Sequence, residues 1–136
     1  MSSKRIWVSR PIKPKKTKIS DDQKKEITAF FEPLIEHYMR YLQEIIPDKK
    51  NNYVVDIYTK WYQNYFYFCE KYKAEYANRI ADEFEYKFVR LEFIADNQLN
   101  FSYFRHTGQW HLVDENLSLE ACLKMMNENP NFQPLF

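Results

Sequence analysis

Between Ser20 and Pro47 the apolar residues fall at the spacing of one helical face: Ile27, Phe30, Phe31, Leu34, Ile35, Tyr38, Leu42 and Ile45. Glu26, Glu32, Glu36, Arg40, Gln43 and Glu44 take the opposite side, so the pattern predicts a helix with one side wet. Ser20 and Gln23 have the spacing of a capping box, in which the hydroxyl accepts an N–H and the Gln side chain returns the bond. Asp21 and Asp22 put negative charge on the positive end of the helix dipole. Pro33 sits inside the pattern and predicts a kink or a restart, because it removes a helical hydrogen bond and crowds the preceding turn. Pro47 stops the helix, and residues 48–52 form a loop.

From Tyr53 the chain turns to Val, Ile, Tyr, Phe and Trp, the strand formers. Tyr53 to Lys60 and Tyr65 to Tyr72 read as two strands with a turn around Tyr62-Gln63-Asn64. A helical reading competes, since Tyr58, Trp61, Tyr62, Tyr65, Cys69, Tyr72 and Tyr76 also share a helical face; the stiff run Tyr65-Phe66-Tyr67-Phe68 decides for strand. Residues 73–82 are a connection. Phe84 to Phe88 alternates, then the phase changes so that Val89, Leu91 and Phe93 become the apolar set, the mark of a bulge or of a strand covered on both faces. Leu99, Phe101 and Tyr103 alternate next, then Trp110 and Leu112.

Thr107-Gly108 fits a two-residue hairpin turn. It pairs His106 with Gln109, Arg105 with Trp110, Phe104 with His111 and Tyr103 with Leu112. The core face is then Leu99, Phe101, Tyr103, Trp110 and Leu112, with Arg105 against Trp110. A three-residue loop at Asp96-Asn97-Gln98 adds Val89, Leu91 and Phe93 to that face. A two-residue loop would bring Arg90 and Glu92 there instead, against the cost of burying charge. The opposite, polar face gathers Arg90, Glu92, Ser102, Phe104, His106, Gln109 and His111. Ser118 caps a last helix whose apolar stripe is Leu119, Cys122, Leu123 and Met126, ended by Asn129-Pro130. The apolar tail Phe132 to Phe136 either docks on the body or forms an interaction motif.

The elements predict an α+β fold: an N-terminal amphipathic helix packed on a curved antiparallel β-meander of about four to six strands, then a short C-terminal helix. Residues 1–19 form a basic flexible arm, and residues 20–136 a single domain.

Composition narrows the chemistry. Among 136 residues glycine occurs once, at Gly108. Phosphate-cradling loops need several glycines for close backbone approach, so Walker-type and dinucleotide-binding turns are excluded. Two cysteines and three histidines cannot build a structural zinc site from C-x-x-C pairs. The formal net charge is +1, but it is unevenly spread. Lys4, Arg5, Arg10, Lys13, Lys15, Lys16 and Lys18 give residues 1–20 a local net of +7 with no acid, and the rest of the chain carries −6. Such an arm suits phosphates, an acidic partner or the chain's own acidic body. The sequence has no membrane-length apolar run and no secretory h-region; Trp7, Pro11 and Pro14 interrupt any transit-peptide helix. The expected compartment is the cytoplasm, with reduced, buried thiols.

Candidate chemistry is sparse. His106, His111 and Glu92 can be drawn as a two-His-one-carboxylate metal set, although two exposed strand histidines need no ligand to explain them, and no cofactor is expected. His37 reads as structural. Cys69 and Cys122 lie in apolar settings that make thiols inert, and Asp82, Glu83 and Glu85 read as solvated. Aromatics say more: nine of the twenty residues from Tyr53 to Tyr72 are aromatic, and Tyr86, Phe88 and Phe104 can face the polar side. Either tyrosine replaces aliphatic residues in the core, or the surplus forms a recognition surface. The expected function is a small non-enzymatic binding protein acting through a protein partner or self-association, because Tyr, Trp and Arg dominate such surfaces. The alternatives are single-stranded nucleic-acid binding through the arm and the aromatic face, and a small enzyme or ligand-holding protein using the hollow of the sheet.

Overall fold

The computed structural model describes residues 17–135; of the basic arm only Lys18 falls among them, and Lys4, Arg5, Arg10, Lys13, Lys15 and Lys16 lie outside. Helix α1 spans Asp21–Gln43. Five strands follow, β1 (Tyr53–Tyr62), β2 (Tyr65–Lys73), β3 (Glu83–Ala95), β4 (Gln98–Phe104) and β5 (Trp110–Leu117), then α2 (Leu119–Glu128) and a 3-10 turn at Pro130–Phe132. The capping box is formed: the Ser20 hydroxyl accepts the Gln23 N–H at 3.1 Å, and Gln23 Oε1 accepts the Ser20 N–H at 2.9 Å. Of the expected kink or restart, the restart does not occur: α1 runs unbroken through Pro33. Pro33 is on the exposed side, and Phe31 and Leu34 beside it are buried, so packing on both sides holds the helix across the lost hydrogen bond. The helix ends at Gln43, leaving Ile45 beyond it.

The sheet is an open antiparallel meander in the order β1-β2-β3-β4-β5. On one face Phe66 lies opposite Leu91, Phe68 opposite Val89, Leu91 opposite Phe101 and Phe93 opposite Leu99. All seven are buried. Phe31 of α1 meets them at ring distances of 5.8 Å to Phe66 and 5.2 Å to Phe68. Trp61 Nε1 donates to Thr28 Oγ1 at 3.0 Å, which ties α1 to β1. Cys122 and Met126 of α2 complete the core, and Phe132 packs 4.9 Å from Phe101. The phase change in β3 is a bulge: Phe68 pairs with Val89 and Cys69 with Lys87, so Phe88 is the extra residue. Phe88 is buried in the core, which removes it from the polar face.

Two turns differ from expectation. The β3–β4 turn is the two-residue Asp96-Asn97, with Ala95 opposite Gln98. A bulge between Phe93 and Ala95 restores the parity a longer loop was expected to provide, so Arg90 and Glu92 still stay off the core. At the β4–β5 hairpin the loop is three residues, His106-Thr107-Gly108. The Arg105 carbonyl accepts the Gly108 N–H and the Gln109 carbonyl accepts the Arg105 N–H, both at 2.9 Å. Gly108 has φ +83, the left-handed position that closes such a loop. Phe104 therefore pairs with Trp110, Tyr103 with His111 and Ser102 with Leu112. A slip of one residue exchanges the faces. Trp110 and Leu112 leave the core, Leu112 being exposed, while Val113 and Leu117 pack against it.

Candidate functional site

Both helices join the core on one side of the sheet, so neither packs on the other face. The alternation Tyr65-Phe66-Tyr67-Phe68 sends its two phenylalanines into the core and its two tyrosines outward. Cross-strand pairing puts Tyr67 beside Arg90, Arg90 beside Ser102, and Ser102 beside Leu112. The corrected hairpin register brings Trp110 onto the same face. The Arg90 guanidinium lies 4.7 Å from the ring centroid of Tyr65 and 4.7 Å from that of Trp110, a cation between two π faces. Tyr67 extends the stack at 6.1 Å from Tyr65 and 5.8 Å from Trp110, and Phe104 meets Trp110 edge-on at 5.3 Å. These five side chains are half-buried, and Ser102 among them is buried because it is small.

A charged cluster adjoins the stack. Glu85 accepts hydrogen bonds from the Tyr58 hydroxyl, from Lys60 Nζ at 2.7 Å and from Lys87 Nζ at 3.1 Å. Burial pushes its carboxyl up, but the bonds from Lys60, Tyr58 and Lys87 outweigh it and hold the pKa at about 2. Lys87 also lies 5.6 Å from the Tyr67 ring, so ion pairs and aromatic stack form one connected surface from β1 to β5.

Of the residues expected to share the polar face, Arg90, Glu92, Ser102 and Phe104 do so. His106 and Gln109 belong to the exposed hairpin loop instead, and His111 sits on the core side of its strand, its ring 5.7 Å from Tyr103. Arg105 is likewise at the loop and exposed, and Arg90 is the cation against Trp110. The His106–His111–Glu92 set is thereby taken apart, and no group of three His, Cys, Asp or Glu side chains among the described residues is placed to hold a metal ion. Burial pushes both thiols, Cys69 and Cys122, up to about 12, which removes them as nucleophiles near neutral pH. Tyr65, Tyr67, Trp110, Tyr58, Lys60, Lys87 and Glu85 escaped the sequence reading of this face. The Tyr-Phe-Tyr-Phe alternation was the available signal.

On the core side one carboxylate has no cation among the described residues. Glu70 is fully buried; its Oε2 accepts the Leu135 N–H at 3.0 Å and the Tyr72 hydroxyl at 3.1 Å, and its Oε1 has no hydrogen-bond partner. Burial pushes its pKa up to about 7 against those two bonds. The C-terminal tail thus docks on the body through Phe132 and the Leu135 amide.

Fold and surface together define an α+β protein with an open five-stranded antiparallel sheet, helices on one face and an aromatic–cationic stack on the other. No described helix is long and apolar enough to cross a membrane. The chain belongs to the family described as a domain of unknown function (DUF3024), which matches residues 23–134 and so takes in the whole sheet and nearly all of both helices. No curated protein and no solved structure matches the chain.

Proposed function

We propose that the protein is a non-enzymatic binding protein of the cytoplasm that self-associates through the face of its sheet opposite the two described helices. The observation that carries this reading is the Tyr65–Arg90–Trp110 stack on a face that no described helix covers. Rings and guanidinium groups of this kind supply large contact area at low entropic cost, and they dominate protein recognition surfaces. The charges favour a second copy over a uniformly charged partner. Lys60 and Lys87 surround Glu85, Lys71 pairs with Glu83, and Arg90 neighbours Glu92 along β3. A face bearing both signs can meet itself across a two-fold axis with plus against minus. Five strands about 4.8 Å apart, taken over the seven-residue length of the shortest, β4, give a shared flat footprint of roughly 550 Å². That is at the low end of the range for specific contacts, so the dimer is expected to be weak, with Kd on the order of micromolar.

Sedimentation velocity on the full chain tests this. The wild type should pass from monomer to dimer over a micromolar concentration range. Trp110→Asp should stay monomeric there while its thermal unfolding remains cooperative. A monomeric wild type throughout, or a Trp110→Asp variant that dimerises like wild type, rules the reading out.

A second reading has one specific observation in its favour. Asn64, next to Tyr65, donates from Nδ2 to the Thr17 carbonyl at 2.7 Å, so Thr17, the first described residue after the lysine-rich stretch, lies beside the stacking surface. Single-stranded nucleic acid would use both, bases on rings and phosphates on lysines. It requires binding to a single-stranded oligonucleotide that weakens steeply with salt; no binding at low salt excludes it.

A further inference from the structure

Between the first turns of α1, the β3–β4 turn and the start of α2 lies a groove of about 360 Å³. Ile27, Phe30 and Phe93 form an apolar floor, and Glu26, Asp96 and Glu120 stand on its rim. All three carboxylates are exposed, and none of the described residues lining the groove is basic. An apolar floor inside an acidic rim fits an apolar group flanked by cations.

The chain carries such a segment. Ile6-Trp7-Val8 is bracketed by Lys4-Arg5 and Arg10, three positive charges with no acid among them, against three rim carboxylates. The first described residue after this stretch, Thr17, is held by Asn64. Its Nδ2 donates to the Thr17 carbonyl at 2.7 Å and to the Phe93 carbonyl at 3.2 Å, and its Oδ1 accepts the Ile19 N–H at 3.1 Å. Thr17 is thus one amide group away from the backbone of a residue whose side chain lines the groove. Ten residues of chain reach at most about 35 Å, so Trp7 can be brought to any part of it. Tethering gives an effective concentration of order millimolar, enough to fill even a weak site.

We propose that this groove is the intramolecular seat of residues 4–10, with Trp7 on the apolar floor and Lys4, Arg5 and Arg10 against Glu26, Asp96 and Glu120. Fluorine NMR of the full chain labelled with 5-fluorotryptophan tests it, with Trp7→Phe assigning the Trp7 signal. The Trp7 resonance should be displaced from that of free 5-fluorotryptophan, equally at two concentrations tenfold apart. In the Glu26→Lys/Asp96→Lys/Glu120→Lys variant it should move to the free position while the Trp61 signal, a monitor of the α1–β1 contact, stays in place. The proposal is overturned by a Trp7 signal at the free position in the wild type, by one unmoved by the charge reversal, or by a displacement seen only at the higher concentration, which would mean another molecule's arm.

Discussion

Glu70 combines full burial with only two hydrogen bonds to one of its oxygens, one from Tyr72 and one from the Leu135 amide. An ionised carboxylate in that position has lost its water without gaining a cation, which is why its pKa rises from 4.5 to about 7. The sign of the linkage follows. A carboxyl whose folded pKa exceeds its unfolded one stabilises the fold fully below the unfolded value, and that stability is lost as the pH rises through the folded value. Between pH 4.5 and about 7 the protein should therefore lose stability, by about 3 kcal/mol from this group. Glu70→Gln, which cannot ionise, should raise the melting temperature at pH 8 and flatten the difference between pH 5 and pH 8. Scanning calorimetry of both chains at the two pH values checks it; parallel pH profiles for the two would contradict the assignment.

Helix α1 shows how an element overrides a local rule. Pro33 costs a helix interior about 3 kcal/mol relative to alanine, yet the helix continues because Ile27, Phe31, Leu34 and Tyr38 anchor it before and after. Since Pro33 is exposed, Pro33→Ala should stabilise the protein by about 1–3 kcal/mol in urea unfolding; a neutral or destabilising result would mean that the proline is matched to a bend the helix needs. The same contrast explains what was legible in the sequence. The cap at Ser20, the strand assignment of residues 53–72 and the cap at Ser118 all rest on local chemistry, and the structure agrees with each; of the two readings of the phase change in β3, a bulge or a strand covered on both faces, the register shows the bulge. The hairpin after β4 does not follow from local chemistry alone: Thr107-Gly108 fits a two-residue turn as well as the last two positions of a three-residue one. That one-residue difference moved Trp110 from the core to the stack and His111 from the polar face to the core side. Arg90, Glu92, Ser102 and Phe104 were correctly grouped because β3–β4 parity was constrained by the cost of burying Arg90. The Arg90–Trp110 contact was missed because it needs the registers of three strands, β3, β4 and β5, at once.

At the scale of the molecule, the sheet divides the chain into a face closed by two helices and a face closed by nothing in residues 17–135. A core of Phe31, Phe66, Phe68 and Phe101 explains why so aromatic a sequence folds. It does not use Tyr65, Tyr67 and Trp110, which are ordered by Arg90 on the other side. That surplus is the basis of the proposed self-association, and a dimer alone is not enough to support it, since the edges β1 and β5 could also pair. The direct measurement is an isotope-filtered NOE experiment on an equal mixture of labelled and unlabelled chains at a concentration where the dimer is populated. Cross-peaks between protomers from the rings of Trp110, Tyr65 and Tyr67, and from the Leu112 methyl groups, are the predicted result. Contacts between protomers confined to strand edges or to the outer surface of α1 would contradict it.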